Sequence, residues 1–165
     1  MWLVILMVSA TFTGNIIKKF EDVLQSVVLL TAFIPMLMDT GGNAGSQSAT
    51  LVIRSIALGE IQGKDTLRVI WKELRVSLIV GVCLSSINFL RIYFLEKVPF
   101  YISLTVCITL FCTVVLAKVV GAILPMLAKK LKLDPAIMAS PLITTVVDAA
   151  SLMIYFSVAR FLLGI

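Results

Sequence analysis

Ser140, Thr144, Asp148, Ser151 and Tyr155 recur at intervals of four, four, three and four residues. On an α-helix that spacing lines them along one face. The positions between them are mostly Leu, Ile, Val, Met, Ala and Phe. A second polar group lies in MLMDTGGNAGSQSATLVIR, residues 36–54, where Asp39, Asn43, Ser46 or Gln47, and Thr50 share a helical face. Carboxylates, amides and hydroxyls are hard oxygen donors, suited to reversible binding of a hydrated or partly hydrated cation. The chain has no histidine, which excludes Ser-His and Cys-His catalysis and His-ligated metal sites. It also lacks HExxH, GxSxG and P-loop patterns, so no enzyme is expected. Cys83, Cys107 and Cys112 all fall in apolar runs and read as small buried hydrophobes.

The elements that carry these residues belong to a membrane. Of 165 residues, 60% are hydrophobic and 14% charged, and the mean hydropathy is +1.09. A soluble domain carries about 25% charged residues. The apolar runs are continuous rather than alternating, which favours helices over a β-barrel. The expected fold is an all-α integral membrane protein with five transmembrane helices, at about 2–17, 23–58 with a break near 35–45, 76–95, 98–128 and 136–163. Pro35 and the following glycines motivate the break, and Pro135 suits the first turn of the fifth helix. The polar stretch GEIQGKDTLRVIWKELR, residues 59–75, reads as a linker with an interfacial amphipathic entry around Trp71. MWLVILMVSATF has no basic leader, so it reads as a retained first helix. Its abrupt start leads to the expectation of a piece of a larger protein.

Basic residues set the expected orientation. Lys18, Lys19, Arg91, Lys97 and Arg160 fall on one side, five in all. Arg54, Lys64, Arg68, Lys72, Arg75, Lys118, Lys129, Lys130 and Lys132 fall on the other, nine in all, with Lys118 expected to snorkel to the surface. The N-terminus is therefore expected in the cytoplasm of a cell membrane and the C-terminus outside. The net charge of +5 becomes a topology signal, with no nucleic acid implied.

Counted from Ala136, Asp148 lies about 18 Å along its helix, near the bilayer midplane. Asp39 and Asn43 lie about 24 and 30 Å along theirs, from the inner half of the membrane to its cytoplasmic boundary. A carboxylate at such depth costs about 2.5–3.5 kcal/mol on insertion scales and usually faces a bundle interior or a water path. A buried acid can be purely structural, and Gly41-x-x-x-Gly45 can be a packing motif. Neither explains two polar seams bearing acids with no basic partner at that depth, and together these describe a cation path.

The stretches PMLMDTGGNAGSQSATLVIRSIALGEI and DPAIMASPLITTVVDAASLMIYFSVARFLL resemble the two signature helices of the MgtE magnesium-channel family. The resemblance implies a homodimer of ten helices in lipid, with a Mg²⁺ pore on its two-fold axis lined by the second and fifth helices. Asp148 would bind the central ion, with Ser140 and Thr144 beside it and the region around Asn43 forming the narrow passage. Asp39, on the same seam, is a further candidate ligand. MgtE proteins usually carry cytoplasmic N-terminal and CBS domains that sense Mg²⁺. None lies within these 165 residues, so a trimmed domain or a minimal relative is expected, not closed by internal Mg²⁺. The competing readings are a proton- or sodium-coupled divalent cation exchanger and a non-transporting dimeric membrane module.

Overall fold

The computed structural model describes residues 2–136 and 141–164, and among them it is all-helical, with no strand. Helix α1 spans Trp2–Lys19 and ends on Lys18 and Lys19, cations that suit the negative end of the helix dipole. A short α2, Glu21–Ser26, and a 3₁₀ segment, Val28–Phe33, lead into α3, Ile34–Ala57. Helix α4, Thr66–Leu90, closes with a π-helical turn at Arg91–Leu95. Helix α5 covers Phe100–Lys130 and α6 covers Pro141–Leu163. The stretches 63–95, 100–130 and 141–163 are each long and apolar enough to cross a bilayer.

Helix α5 is the centre of the bundle: α3, α4 and α6 all pack on it, and α1 packs on α6. Buried Thr105 and Thr109 satisfy their hydroxyls on the carbonyls of Tyr101 and Thr105, both at 2.8 Å. These two hydroxyls are thus satisfied inside an apolar core, whereas among the described residues the buried Thr113 hydroxyl one turn on has no partner. Ser9 on α1 donates to Thr145 Oγ1 on α6 at 2.7 Å.

Three element boundaries differ from the sequence expectation. The break expected near 35–45 is absent, and α3 runs unbroken through the glycines. The irregular backbone lies earlier, at Val27–Phe33. Pro35 sits in the first turn of α3, where its missing N–H has no partner to lose, so it starts the helix instead of breaking it. Gly41 and Gly45 then survive mid-helix because neighbours occupy the space where side chains would be. A Cβ on Gly41 would lie 2.7 Å from Thr113 Cγ2, and one on Gly45 would lie 2.7 Å from Ile143 Cγ2. Helix α4 begins at Thr66, ten residues before the expected 76, behind a capping box of Gln62 and Asp65. Pro135 and Ala136 form a turn rather than a first helical turn, with the Ala136 N–H donating to Asp134 Oδ1 at 2.9 Å.

Candidate functional site

Where α3 crosses α6, an open cleft of about 260 Å³ is lined by Asp39, Asn43 and Ser46 from one helix and by Thr144 and Asp148 from the other. Gly42 and Met38 complete its wall. The helix period puts Asp39, Asn43 and Ser46 one turn apart, and does the same for Thr144 and Asp148. Close approach of the helices brings the two rows together. A Cβ at Gly42 would stand 3.2 Å from Thr144 Cγ2, so the absence of a side chain there lets the α6 row reach the α3 row.

Asp39 and Asn43 are exposed on the isolated chain, while Thr144 and Asp148 are half-buried. Among the described residues, neither carboxylate nor the Asn43 amide is engaged in a hydrogen bond or ion pair. Thr144 donates to the Pro141 carbonyl at 3.1 Å. No lysine or arginine lines the cleft. It adjoins a second hollow of about 470 Å³, bounded by Asn43, Ser46, Gln47, Thr50 and Leu51. One polar track therefore runs along α3 for three turns, supplying oxygen donors and the Asp39 carboxylate, with the Asp148 carboxylate facing it from α6.

Four of the sequence candidates, Asp39, Asn43, Thr144 and Asp148, thus meet in one place. Ser140 lies outside the described residues. Ser151 and Tyr155, expected on the same wet stripe, are buried and serve the fold. Ser151 donates to the Val147 carbonyl at 2.6 Å, and the Tyr155 hydroxyl donates to the Leu30 carbonyl at 2.9 Å, pinning the 3₁₀ segment. The glycines serve packing, as the Gly41-x-x-x-Gly45 spacing allows: Gly41, Gly42 and Gly45 face the chain's own α5 and α6 within an unbroken α3.

A second polar cluster escaped the sequence reading. Lys118 is buried, not snorkelling, with its ammonium 3.9 Å from Glu73 Oε2. Ser48 Oγ lies 3.0 Å from that oxygen and 2.9 Å from the Lys118 carbonyl, so its single proton can serve either acceptor. The cluster ties α3, α4 and α5 together behind the polar track. A signal was present: Val69, Glu73, Ser77 and Gly81 are spaced by four and form the buried face of α4, where Glu73 is the one charge. At the opposite end of α4, Arg91 forms a fork on Asn88 Oδ1 at 3.2 and 3.0 Å and pairs with Glu96. Its guanidinium also reaches Met36 Sδ at 3.6 Å, bracing the start of α3.

A family model described as MgtE, divalent cation transporter, matches residues 34–158. The chain is 41% identical over 162 residues to the magnesium transporter MgtE of Thermus thermophilus, covering 98% of this chain and 36% of that protein. It is 39% identical over 159 residues to the magnesium transporter MgtE of Bacillus subtilis, covering 96% of this chain and 35% of the other. A magnesium transporter MgtE from Enterococcus faecalis is 28% identical over 158 residues, covering 96% of this chain and 35% of that protein. The chain thus spans about a third of the length of the curated relatives it matches.

Proposed function

The chain belongs to the MgtE family of divalent cation transporters, and from that membership we propose that it forms part of a Mg²⁺ path across a membrane, with Asp148 as the central ion ligand. The observation that carries this reading is the cleft itself: two uncommitted carboxylates, an amide and hydroxyls converge there with no basic side chain in the lining.

The donor chemistry suits a hydrated ion. Mg²⁺ prefers six oxygens at about 2.0–2.1 Å and gives up water reluctantly, so it seldom needs an all-protein cage. Among the described residues no group of three or more His, Cys, Asp or Glu side chains forms such a cage. An open cleft whose carboxylates, Asn43 amide and Thr144 hydroxyl contact the ion's waters meets the requirement without one. One Asp148 from each of two copies gives two negative charges opposite one divalent ion, and a monovalent ion leaves half of that charge unbalanced.

The open side of the cleft is best explained by a second copy of the chain. Two copies about a two-fold axis enclose the path and place two Asp148 side chains at one ion, in a homodimer of five-span subunits. Exposure of Asp39, Asn43, Gln47 and Thr50 on the isolated chain supports this arrangement, since lipid would leave those groups unsatisfied. The N-terminus lies in the cytoplasm and the C-terminus outside. Setting buried Lys118 aside leaves the basic excess on the cytoplasmic side.

Mg²⁺ entry into proteoliposomes, followed with a trapped indicator, tests the assignment. Asp148→Asn keeps the side chain's size and removes its charge. Uptake should fall at least about tenfold, the effect of one decade of lost ion affinity, with the thermal unfolding midpoint close to wild type. Wild-type uptake by a folded Asp148→Asn protein would remove Asp148 from the path. Uptake that requires an imposed proton or sodium gradient would replace a channel with a coupled exchanger.

A further inference from the structure

We propose that a groove at the start of α4 holds the phosphate of a monoanionic phospholipid, whose acyl chain runs along α4 into an apolar groove against α5. Arg68, Lys72 and Arg75 stand at i, i+4 and i+7 and line a hollow of about 700 Å³, with Ser55 and Ile61 on its far side. Among the described residues the ion pairs are Arg91–Glu96, Lys118–Glu73 and Arg160–Asp22, so none of these three cations is paired. Unpaired cations gathered in one hollow raise the local anion potential.

Two carboxylates share the hollow and limit what it takes. Asp65 is engaged by the cap, its Oδ2 accepting the Gln62 N–H at 2.9 Å, and Glu60 lies at the rim. Three cations against two carboxylates leave one positive charge, which matches one phosphodiester and disfavours a polyphosphate. The position is that of a headgroup. Trp71, 59% exposed, lies beside the cations, as tryptophans do at the boundary between water and hydrocarbon. From Val76 to Leu90 α4 carries no charged residue.

The same stripe of α4 continues from Arg75 through exposed Ile79 to Val82 and Ser86. Val82, Ser86 and Phe89 line one wall of a second groove, of about 580 Å³, whose other wall is Leu104, Ile108 and Phe111 of α5. At 1.5 Å per residue, Val82 to Phe89 lie about 10 to 21 Å beyond Arg75. One leaflet of the hydrocarbon core is about 15 Å deep. A lipid held by its phosphate at Arg75 therefore has its acyl chain level with the apolar groove. A free anion uses the cations alone, whereas a phospholipid uses both grooves.

The 165-residue chain, reconstituted in vesicles of equal phosphatidylglycerol and phosphatidylcholine and gently extracted, is analysed for retained lipid by mass spectrometry. Phosphatidylglycerol should be enriched over the bulk ratio. Each of Arg68→Gln, Lys72→Gln and Arg75→Gln should lower the enrichment by about fivefold until it reaches the bulk value. Ser86→Trp fills the apolar groove without altering charge and should also abolish the enrichment. Lys64→Gln/Lys130→Gln/Lys132→Gln makes an equal charge change at the same end and should retain it. Retained lipid at the bulk ratio in the wild-type chain overturns the proposal. So does equal loss in the two charge series, since that is general surface attraction. Displacement of phosphatidylglycerol by millimolar inorganic phosphate, or indifference to Ser86→Trp, makes the site one for a free anion and overturns it as well.

Discussion

The Lys118 ammonium lies 3.9 Å from the Glu73 carboxylate, and both side chains are more than nine-tenths buried. At that separation the pair is loose, and the nearby Ser48 hydroxyl helps to satisfy the carboxylate. Glu73→Gln leaves a buried cation without its counter-charge and should cost about 3–5 kcal/mol of stability. Pairing it with Lys118→Met removes both charges and should restore most of that loss. Denaturant titration in detergent compares the two, and equal destabilisation would mean that the charges do not interact.

Asn43 and Ala44 are neighbours with opposite surroundings. Asn43 is exposed and lines the cleft, while Ala44 packs with Ala49, Ala117, Ile143 and Val147. Asn43→Leu should block Mg²⁺ flux in proteoliposomes and leave the unfolding midpoint within the range of ordinary surface changes, about ±0.5 kcal/mol. Ala44→Leu should instead lose about 1–3 kcal/mol by overpacking. Undiminished flux through the Asn43→Leu protein would place the path elsewhere.

Two glycines should answer oppositely to alanine. A Cβ on Gly14 in α1 meets nothing within 4 Å, so Gly14→Ala should gain about 0.5–1 kcal/mol from helix propensity alone. A Cβ on Gly121 would stand 2.2 Å from the Gly45 carbonyl oxygen, a backbone atom that no rotamer change can move aside. Gly121→Ala should force α3 from α5 and cost at least about 1–3 kcal/mol. Thermal unfolding of both variants in one detergent reads the contrast.

Acid should erase one surface contribution. The hydrogen bond from Arg160 holds the Asp22 carboxyl below its usual range, and the Arg160 charge adds to the effect. A depressed folded pKa contributes stability in full above the unfolded value of about 3.9, and the contribution disappears as pH falls through the folded value. Asp22→Asn should therefore lower the unfolding midpoint slightly at neutral pH and have no effect in the most acidic range the fold survives. The pair is exposed, so added salt should shrink the neutral-pH difference.

Helical period alone placed Asp39 with Asn43 and Thr144 with Asp148, and each pair lines the cleft as its spacing implies. The same period also put Ser151 and Tyr155 on that stripe, but a period names a face without naming its neighbour. Tyr155 faces a carbonyl 125 residues away at Leu30, and Ser151 bonds within its own helix. Lys118 departs from its expected snorkelling for the same reason, since its partner Glu73 lies on another helix, within the stretch that reads as a polar linker. The expected break at 35–45 rested on the intrinsic helix weakness of glycine. Packing from Thr113, Val147 and Ile143 outweighs that weakness, and nothing local to residues 41–45 announces it.

The touching backbones of Gly45 and Gly121 give α3 a natural pivot. With no side chains between them, the helices have no compressible layer at that level, and a tilt of α3 about this contact keeps it closed. The junction acts as a fulcrum. Asn43 lies about 3 Å along the axis from Gly45, Asp39 about 9 Å, and Arg54 about 14 Å in the other direction. A tilt of α3 thus moves Asp39 roughly three times as far as Asn43, and moves Arg54 the opposite way. One rigid helix can in this way widen one end of the polar track while it narrows the other.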